Sequence, residues 1–279
     1  MTSTVDLHMH TNASDGASSP TELIDECVKA GLKTISFTDH ENIDGYLEAL
    51  AYAKEARILL IPGVELLTTF RRREIHLLGY GFDPINPQFR ARLEELRQSR
   101  NNTGLRSAEK FQKLGFSIQL GPLIDVADRG RTIGKNHLIY ALFEAGYIKT
   151  WDDVIHFLRN YLSVNGQAYI EFDDNPIEDG IEMIRQAGGI PVLAHPGLIR
   201  DDQIVRELAA RRNIGIEVYY FYFGPMRGEW IRRYEALARE FDLLVTGGSD
   251  YHGYYAPDVI LGELEVPENV AAGLFESLG

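Results

Sequence analysis

The feature that most constrains this chain is an alternation. Short, almost unbroken Ile/Leu/Val runs recur between segments of helical periodicity. Seven such runs stand out: Val5–His8, Thr34–Thr38, Ile58–Leu67, Glu74–Tyr80, Ile190–Ala194, Ile214–Tyr219 and Leu243–Thr246. Runs this continuous suit strands buried on both faces. Helical patterns at Pro20–Ala30, Tyr46–Ala56, Pro176–Ala187, Asp201–Arg211 and Pro225–Glu240 lie between them; the first opens on Ser19-Pro20 and stops at Gly31, a start and a stop signal. Strand and helix in alternation predict an α/β fold with a parallel sheet or barrel.

The rhythm breaks once. After Gly81-Phe82-Asp83-Pro84 no strand pattern returns until about Asn175, and Phe89–Leu114, Asn136–Glu144 and Trp151–Tyr161 read as helices. The expected organisation is a barrel formed by 1–85 and 172–279, with 86–171 as a helical insertion capping the active site. One connection is also short. A hairpin turning on Thr69-Phe70-Arg71-Arg72 would set Glu65 directly opposite His76, with Cβ atoms ~5 Å apart.

Composition narrows the function classes. The 279 residues carry a net charge of −13, which speaks against a duplex-DNA binder. The charge is uneven: Gln88 to Lys135 holds ten Lys/Arg against five Asp/Glu, leaving −18 on the rest. The bland reading is solvated helix faces; the sharper one is an acidic metal site with a basic flap for an anionic substrate. No apolar run reaches the ~18–20 residues of a membrane span, and the start of the chain shows no signal-peptide pattern. Cys27 is the single cysteine, so neither an internal disulfide nor a thiolate zinc site is expected. These features predict a cytoplasmic protein without membrane or duplex-DNA partners.

The chemistry-bearing residues sort onto strand ends. His8 and His10 follow the first strand, and Asp39-His40 end the second. Glu65 lies in the third, His76 in the fourth, His195 after the fifth, and Asp250 with His252 after the seventh. In α/β barrels the strand ends converge on one mouth where active sites are built. Glu217, inside the sixth strand, reads as structural or supporting. Imidazoles and carboxylates without thiolate suit Zn, Mn or Fe, and so many ligands imply two or three ions with Glu65 as a bridge. Close-set ions clamp the attacking and leaving oxygens of a displacement, which is the chemistry of phosphoester hydrolysis.

Asp6-Leu7-His8-Met9-His10-Thr11 with Ser14-Asp15-Gly16, Thr38-Asp39-His40, Pro62-Gly63-Val64-Glu65, Ile75-His76, Ala194-His195-Pro196-Gly197 and Gly248-Ser249-Asp250-Tyr251-His252 resemble, in order, the motifs of the PHP (polymerase and histidinol phosphatase) superfamily. The resemblance covers about 1–85 and 172–279 and implies a distorted seven-stranded βα barrel with a two- or three-metal centre. It assigns one ion to His8, His10, Glu65 and Asp250, a second to Glu65, His76 and His195, and a third to Asp15, His40 and His252. Asp6 and Asp39 would orient imidazoles, or else cap turns.

The helical insertion is similar to that of PHP phosphoesterases acting on nucleotides, among them a nucleoside 3′,5′-bisphosphate phosphatase and 5′-end RNA exonucleases. Where that branch has Arg-x-His, this chain has Lys135-Asn136-His137; where the branch often has Arg after His-Pro-Gly, it has Leu198, with Arg200 two residues on. The implied substrate contacts are Lys135, His137 and Arg200, with His195, His252 and Asp250 at the reacting phosphate. The expected activity is hydrolysis of a nucleotide phosphomonoester. The alternatives are 5′→3′ cleavage of short RNA, histidinol-phosphate hydrolysis, or a silent binding module. Tyr219–Phe223 suggest core packing or a base-stacking platform, and Arg71–Arg73 solvated hairpin charges or a phosphate contact. His156 reads as a plain helix residue.

Overall fold

The computed structural model describes residues 3–172, 175–211 and 213–278. All seven expected strands form: β1 (Val5–Met9), β2 (Thr34–Phe37), β3 (Leu59–Phe70), β4 (Arg73–Tyr80), β5 (Ile190–Leu193), β6 (Gly215–Tyr220) and β7 (Val245–Gly248). They make one sheet in sequence order. Neighbours pair in parallel except β4, which runs antiparallel to both β3 and β5. Backbone hydrogen bonds from Asp250 to His8 (2.8 Å) and from His10 to Tyr251 (2.9 Å) bring the last strand back to the first. The result is a distorted, nearly closed barrel.

The helices of the βα series are α1 (Pro20–Ala30), α2 (Asp44–Glu55), α7 (Ile177–Gln186), α8 (Asp202–Ala210) and α9 (Arg227–Phe241). In α1 the Ser19 hydroxyl accepts from the Glu22 N–H while the Glu22 carboxylate accepts from the Ser19 N–H, and Gly31 ends the helix at φ 84°. A further helix, α10 (Glu268–Leu278), lay outside the helical patterns read above. It packs Val270, Ala271 and Leu274 onto the barrel through a cluster that includes Val5, Tyr80 and Val192.

Between β4 and β5 come α3 (Pro87–Lys113), α4 (Gly121–Asp128), α5 (Lys135–Glu144) and α6 (Trp151–Phe157), the last continuing into a π-helical turn at Leu158–Leu162. Only α4 was not anticipated. These helices share their own apolar cluster, with Phe111, Ile133, Leu142, Phe157 and Leu162 at its centre.

The hairpin departs from expectation. Its turn is the two residues Arg71-Arg72, both in the left-handed region (φ 50° and 61°), and the register pairs Glu65 with Leu78 and Leu67 with His76. Two consecutive positive φ values match the twist of a tight hairpin, which Asn-Gly usually supplies. Glu65 and His76 are therefore diagonal neighbours on one face and not directly opposed.

Candidate metal centre

His8 lies on β1 and His10 is the first residue past its end, two positions on, so both imidazoles leave the same face and enter the barrel mouth. The loop that follows is held by Asp39, whose carboxylate accepts from the Thr11 N–H (2.8 Å), the Thr11 hydroxyl (2.6 Å) and the Ser14 hydroxyl (2.6 Å). That clamp sets Asp15, buried, facing His40 and His252 (3.5 and 3.2 Å). Asp6 accepts from the backbone N–H groups of His8 and Ser249 (3.2 and 2.9 Å). Both aspartates thus fix backbone turns, and neither bonds an imidazole in the way first considered. Gly248 is forced: a Cβ there would lie 2.3 Å from the His8 nitrogen.

β4 brings His76 from the opposite direction, because it alone runs antiparallel, and His195 follows β5 with φ 26°. Glu65 lies at the centre. Its Oε1 is 2.6 Å from His76 Nδ1 and 3.0 Å from His195 Nε2. Its Oε2 is 3.3 Å from His8 Nε2 and 3.2 Å from both His10 Nε2 and His40 Nδ1. Asp250 Oδ1 closes the ring at 3.4 Å from His8 Nε2 and 3.1 Å from His10 Nε2, and the buried Tyr220 hydroxyl donates to Asp250 Oδ2 at 2.9 Å.

Donor-atom spacing tests whether these residues suit metal. Four ligands placed tetrahedrally at ~2.0–2.1 Å from an ion stand about 3.3 Å apart. The His8–His10–Glu65–Asp250 edges run from 3.1 to 3.4 Å. Six of the eleven side-chain atoms that are buried without a hydrogen-bond partner among the described residues belong to this cluster: His8 Nε2, His10 Nε2, Asp15 Oδ1, His40 Nδ1, His195 Nδ1 and His252 Nε2. Buried polar atoms left unpaired are costly, and all of these but His195 Nδ1 face Glu65 or one another across the cluster, the pattern of a cation site. Three groups have donor atoms within 4.8 Å of one another: His8, His10, Glu65, Asp250; His10, Asp15, His40, His252; and His40, Glu65, His76. The first set coincides with the expected one. His40 stands between the other two, its Nδ1 toward Glu65 and its Nε2 toward Asp15.

Electrostatics agree. Burial raises carboxylate pKa values, yet Asp15, Glu65 and Asp250 are held well below the usual range because imidazoles surround them. Burial opposes protonation of His10, but Asp250 and Glu65 outweigh it and lift the ring to about 10. Protons here occupy places a divalent cation can take. Glu217, on β6, supports the cluster from below: Oε1 meets His8 Nδ1 at 2.9 Å and Oε2 accepts the His195 N–H at 2.7 Å. It fixes one imidazole and the backbone of another.

The cluster forms the floor of a cavity of about 530 Å³. Its walls carry Arg73, Arg100, Lys135, Arg159 and Arg200. Lys135 is paired with Glu74 at 2.7 Å and Arg73 with Asp201 at 3.5 Å. Gly134 abuts the site so closely that a Cβ would meet the Asp15 carboxylate at 1.9 Å, and the Asn136 N–H donates to it at 3.2 Å. His137 does not join Lys135. Two helical positions are about 200° apart, so His137 turns to a neighbouring cavity with Tyr140 and Tyr255. Within the aromatic run Tyr220, Phe221 and Tyr222 are core residues, the Tyr222 hydroxyl accepting the Gly197 N–H at 3.1 Å, whereas Phe223 is exposed with its ring 5.0 Å from that of Trp151. Arg71 pairs with Glu207, Arg72 is exposed, and His156 bonds only Asn160 among the described residues.

Sequence reasoning missed Glu41, Glu74, Arg100 and Arg159; Arg73, one of the hairpin arginines considered for a phosphate contact, does line the cavity. Glu41 could have been suspected from its place beside Asp39-His40. The others lie in no motif and are assembled only by the fold.

A barrel whose mouth gathers six imidazoles and three carboxylates beneath a cationic wall is the frame of a metal-dependent hydrolase acting on anions. Comparison with known proteins agrees. The PHP domain profile matches residues 6–186. The 3′,5′-nucleoside bisphosphate phosphatase of Chromobacterium violaceum is 29% identical over 89% of this chain and 87% of its own length. The 5′-3′ exoribonuclease of Haemophilus influenzae is 32% identical over 90% of this chain and 91% of its own length. A crystal structure from Bifidobacterium adolescentis, provisionally described as a metal-dependent phosphoesterase, superposes with a TM-score of 0.84 at 28% identity, covering 99% of this chain and 96% of that one. The chain belongs to the PHP family, and it is a metal-dependent phosphoesterase.

Proposed function

We propose that this enzyme hydrolyses the phosphomonoester of a nucleotide, a nucleoside 3′,5′-bisphosphate or a nucleoside monophosphate, with two or three divalent ions (Mn, Zn or Fe). The observation that carries the metal reading is the convergence of unpaired buried donor atoms on Glu65 and Asp15. In this reading His8, His10, Glu65 and Asp250 hold one ion. Glu65 with His76 and His195 serves a second, and Asp15, His40 and His252 a third. Bound ions supply Lewis-acid charge stabilisation and a nucleophile from water at neutral pH. The helices of 86–171 cap the barrel of 1–85 and 172–279, and Lys135 and Arg200 hold the phosphate from the cavity wall. His137, turned to the next cavity, keeps α5 in place: its Nδ1 accepts the Gly134 N–H at 3.2 Å. Asp250 is set by the Tyr220 hydroxyl, and whichever of His195 and His252 is not engaged with an ion delivers the proton to the leaving oxygen.

One observation favours a second reading, 5′→3′ removal of nucleotides from short RNA. The cavity shares Val164 with a cleft lined by Arg72, Arg106 and Lys110, which extends the basic surface beyond one phosphate. The C. violaceum and H. influenzae relatives divide along the same line. Turnover of a nucleoside 3′,5′-bisphosphate, AMP, histidinol phosphate and a 5′-phosphorylated oligoribonucleotide by metal-loaded protein decides. The bisphosphate or AMP should have the highest kcat/KM. Preference for the oligonucleotide would replace the first reading with the second, and no turnover of any would defeat both.

A further inference from the structure

The cations around the cavity differ in one respect. Arg200 and Arg159 are exposed, and the side chains of Lys135 and Arg73 are 41% and 47% exposed. Arg100, on α3, is buried, with 7% of its side chain exposed, yet it belongs to the cavity wall. One edge of its guanidinium is fixed: Nη1 donates to Glu41 at 3.1 and 3.4 Å. Glu41 is itself held, since its carboxylate accepts the Leu67 N–H and its own N–H donates to the Glu65 carbonyl at 3.1 Å. It adopts φ 44°, a strained conformation for a non-glycine residue, to reach this position. Nε and Nη2 of Arg100 have no partner among the described residues, and unlike the unpaired imidazole nitrogens they are not sealed off. The positive charge is close enough to act on His40, His76 and Glu74.

A guanidinium carries five donors in a plane, and a carboxylate satisfies only one edge. The free edge matches two oxygens of a phosphate, and in a poorly solvated wall that contact is stronger than the same contact made by a surface lysine. Being locked before substrate arrives, it loses little rotamer freedom on binding. Resting on the phosphoester reading above, we propose that Arg100 is a substrate-binding residue of this centre. Glu41, as a positioning residue, fixes one guanidinium edge so that the other grips non-bridging oxygens of the reacting phosphoryl group.

The experiment compares the metal-loaded wild type with Arg100→Lys and with the double variant Glu41→Gln/Arg100→Met, which removes both buried charges and so avoids an unpaired one. Metal content, melting temperature, kcat/KM on the best phosphomonoester and competitive inhibition by inorganic phosphate are measured. Arg100→Lys should keep its metal and fold while kcat/KM and phosphate affinity each fall about 10- to 100-fold. The double variant should be at least as impaired, since neutralising Glu41 cannot restore a lost phosphate contact. Were Arg100 present only to balance Glu41, the double variant would recover wild-type kinetics, and that result overturns the proposal. So does wild-type phosphate inhibition in Arg100→Lys, which leaves the phosphoesterase reading intact. A wild type that neither turns over any phosphomonoester nor is inhibited by phosphate defeats the proposed function instead, and this inference with it.

Discussion

Glu65 and His76 stand two positions out of direct register across the β3–β4 ladder, yet their side chains meet at 2.6 Å. The diagonal is reachable because both residues leave the same face and the right-handed twist of a hairpin brings one diagonal closer. Had the register slipped by one residue, either side chain would have pointed out of the barrel. The two-residue turn at Arg71-Arg72 therefore decides whether the Glu65 carboxylate has the His76 imidazole beside it.

If Glu65 bridges two ions as proposed, its loss and that of His252 should be unequal. The two Glu65 oxygens face different imidazoles, His76 and His195 on one side and His8, His10 and His40 on the other. Glu65→Ala should lose about two ions per chain and His252→Ala about one, read as metal content after dialysis. Equal losses in the two variants would argue against a bridge.

Glu217 should matter without touching any ion. Its hydrogen bond to His8 Nδ1 leaves Nε2 free as a ligand atom, and its second oxygen holds the His195 backbone at a positive φ. Loss of such a supporting carboxylate typically weakens metal affinity about 10- to 100-fold. Glu217→Gln, which preserves shape, should weaken affinity in a chelator-competition titration with little change in secondary structure. Unchanged affinity would reduce Glu217 to core packing.

What the sequence made legible follows from burial and alternation. All seven strands were readable because strands covered on both faces leave continuous apolar runs. The convergence of the strand-end histidines and carboxylates was readable because a barrel delivers strand ends to one place, whereas Asp15 was reached only through the family motif. The hairpin register was not, because Arg71 and Arg72 adopt left-handed conformations that glycine or asparagine would have signalled. Helix α4 escaped because it is eight residues long and has no side-chain cap. The Arg100–Glu41 pair joins residues 59 apart, a juxtaposition set by how α3 packs and by no spacing rule. The separation of His137 from Lys135 onto different cavities was not legible in the motif because a two-residue step on a helix nearly reverses the face.

The turn also yields a stability prediction. Left-handed conformations cost a non-glycine residue ~1 kcal/mol or more. Replacing Arg71-Arg72 by Asn-Gly should raise the melting temperature. Arg71 gives up a half-exposed pair with Glu207, whose contribution is small. kcat/KM should not change, because neither side chain reaches the metal cluster. A fall in kcat/KM at constant metal content would reinstate the phosphate role once considered for this tip.

Metal uptake should be linked to pH through the imidazoles. With its folded-state pKa raised to about 10, His10 holds a proton across the neutral range in metal-free protein. The unfolded value is near 6.5, so this proton stabilises the metal-free fold fully below pH ~6.5 and the contribution is lost as pH rises through about 10. Asp15, Glu65 and Asp250 are already ionised at neutral pH, so they have no protons to release. Ligation requires neutral imidazole, and His8 is raised in the same direction. Adding a divalent ion to chelator-stripped protein at pH 7.5 should therefore release at least one proton per chain, and affinity should rise with pH. Calorimetry in two buffers of different ionisation enthalpy measures the release directly. Binding with no proton release would mean that the imidazoles are already neutral, and that the carboxylates of this cluster do not act on them as the distances imply.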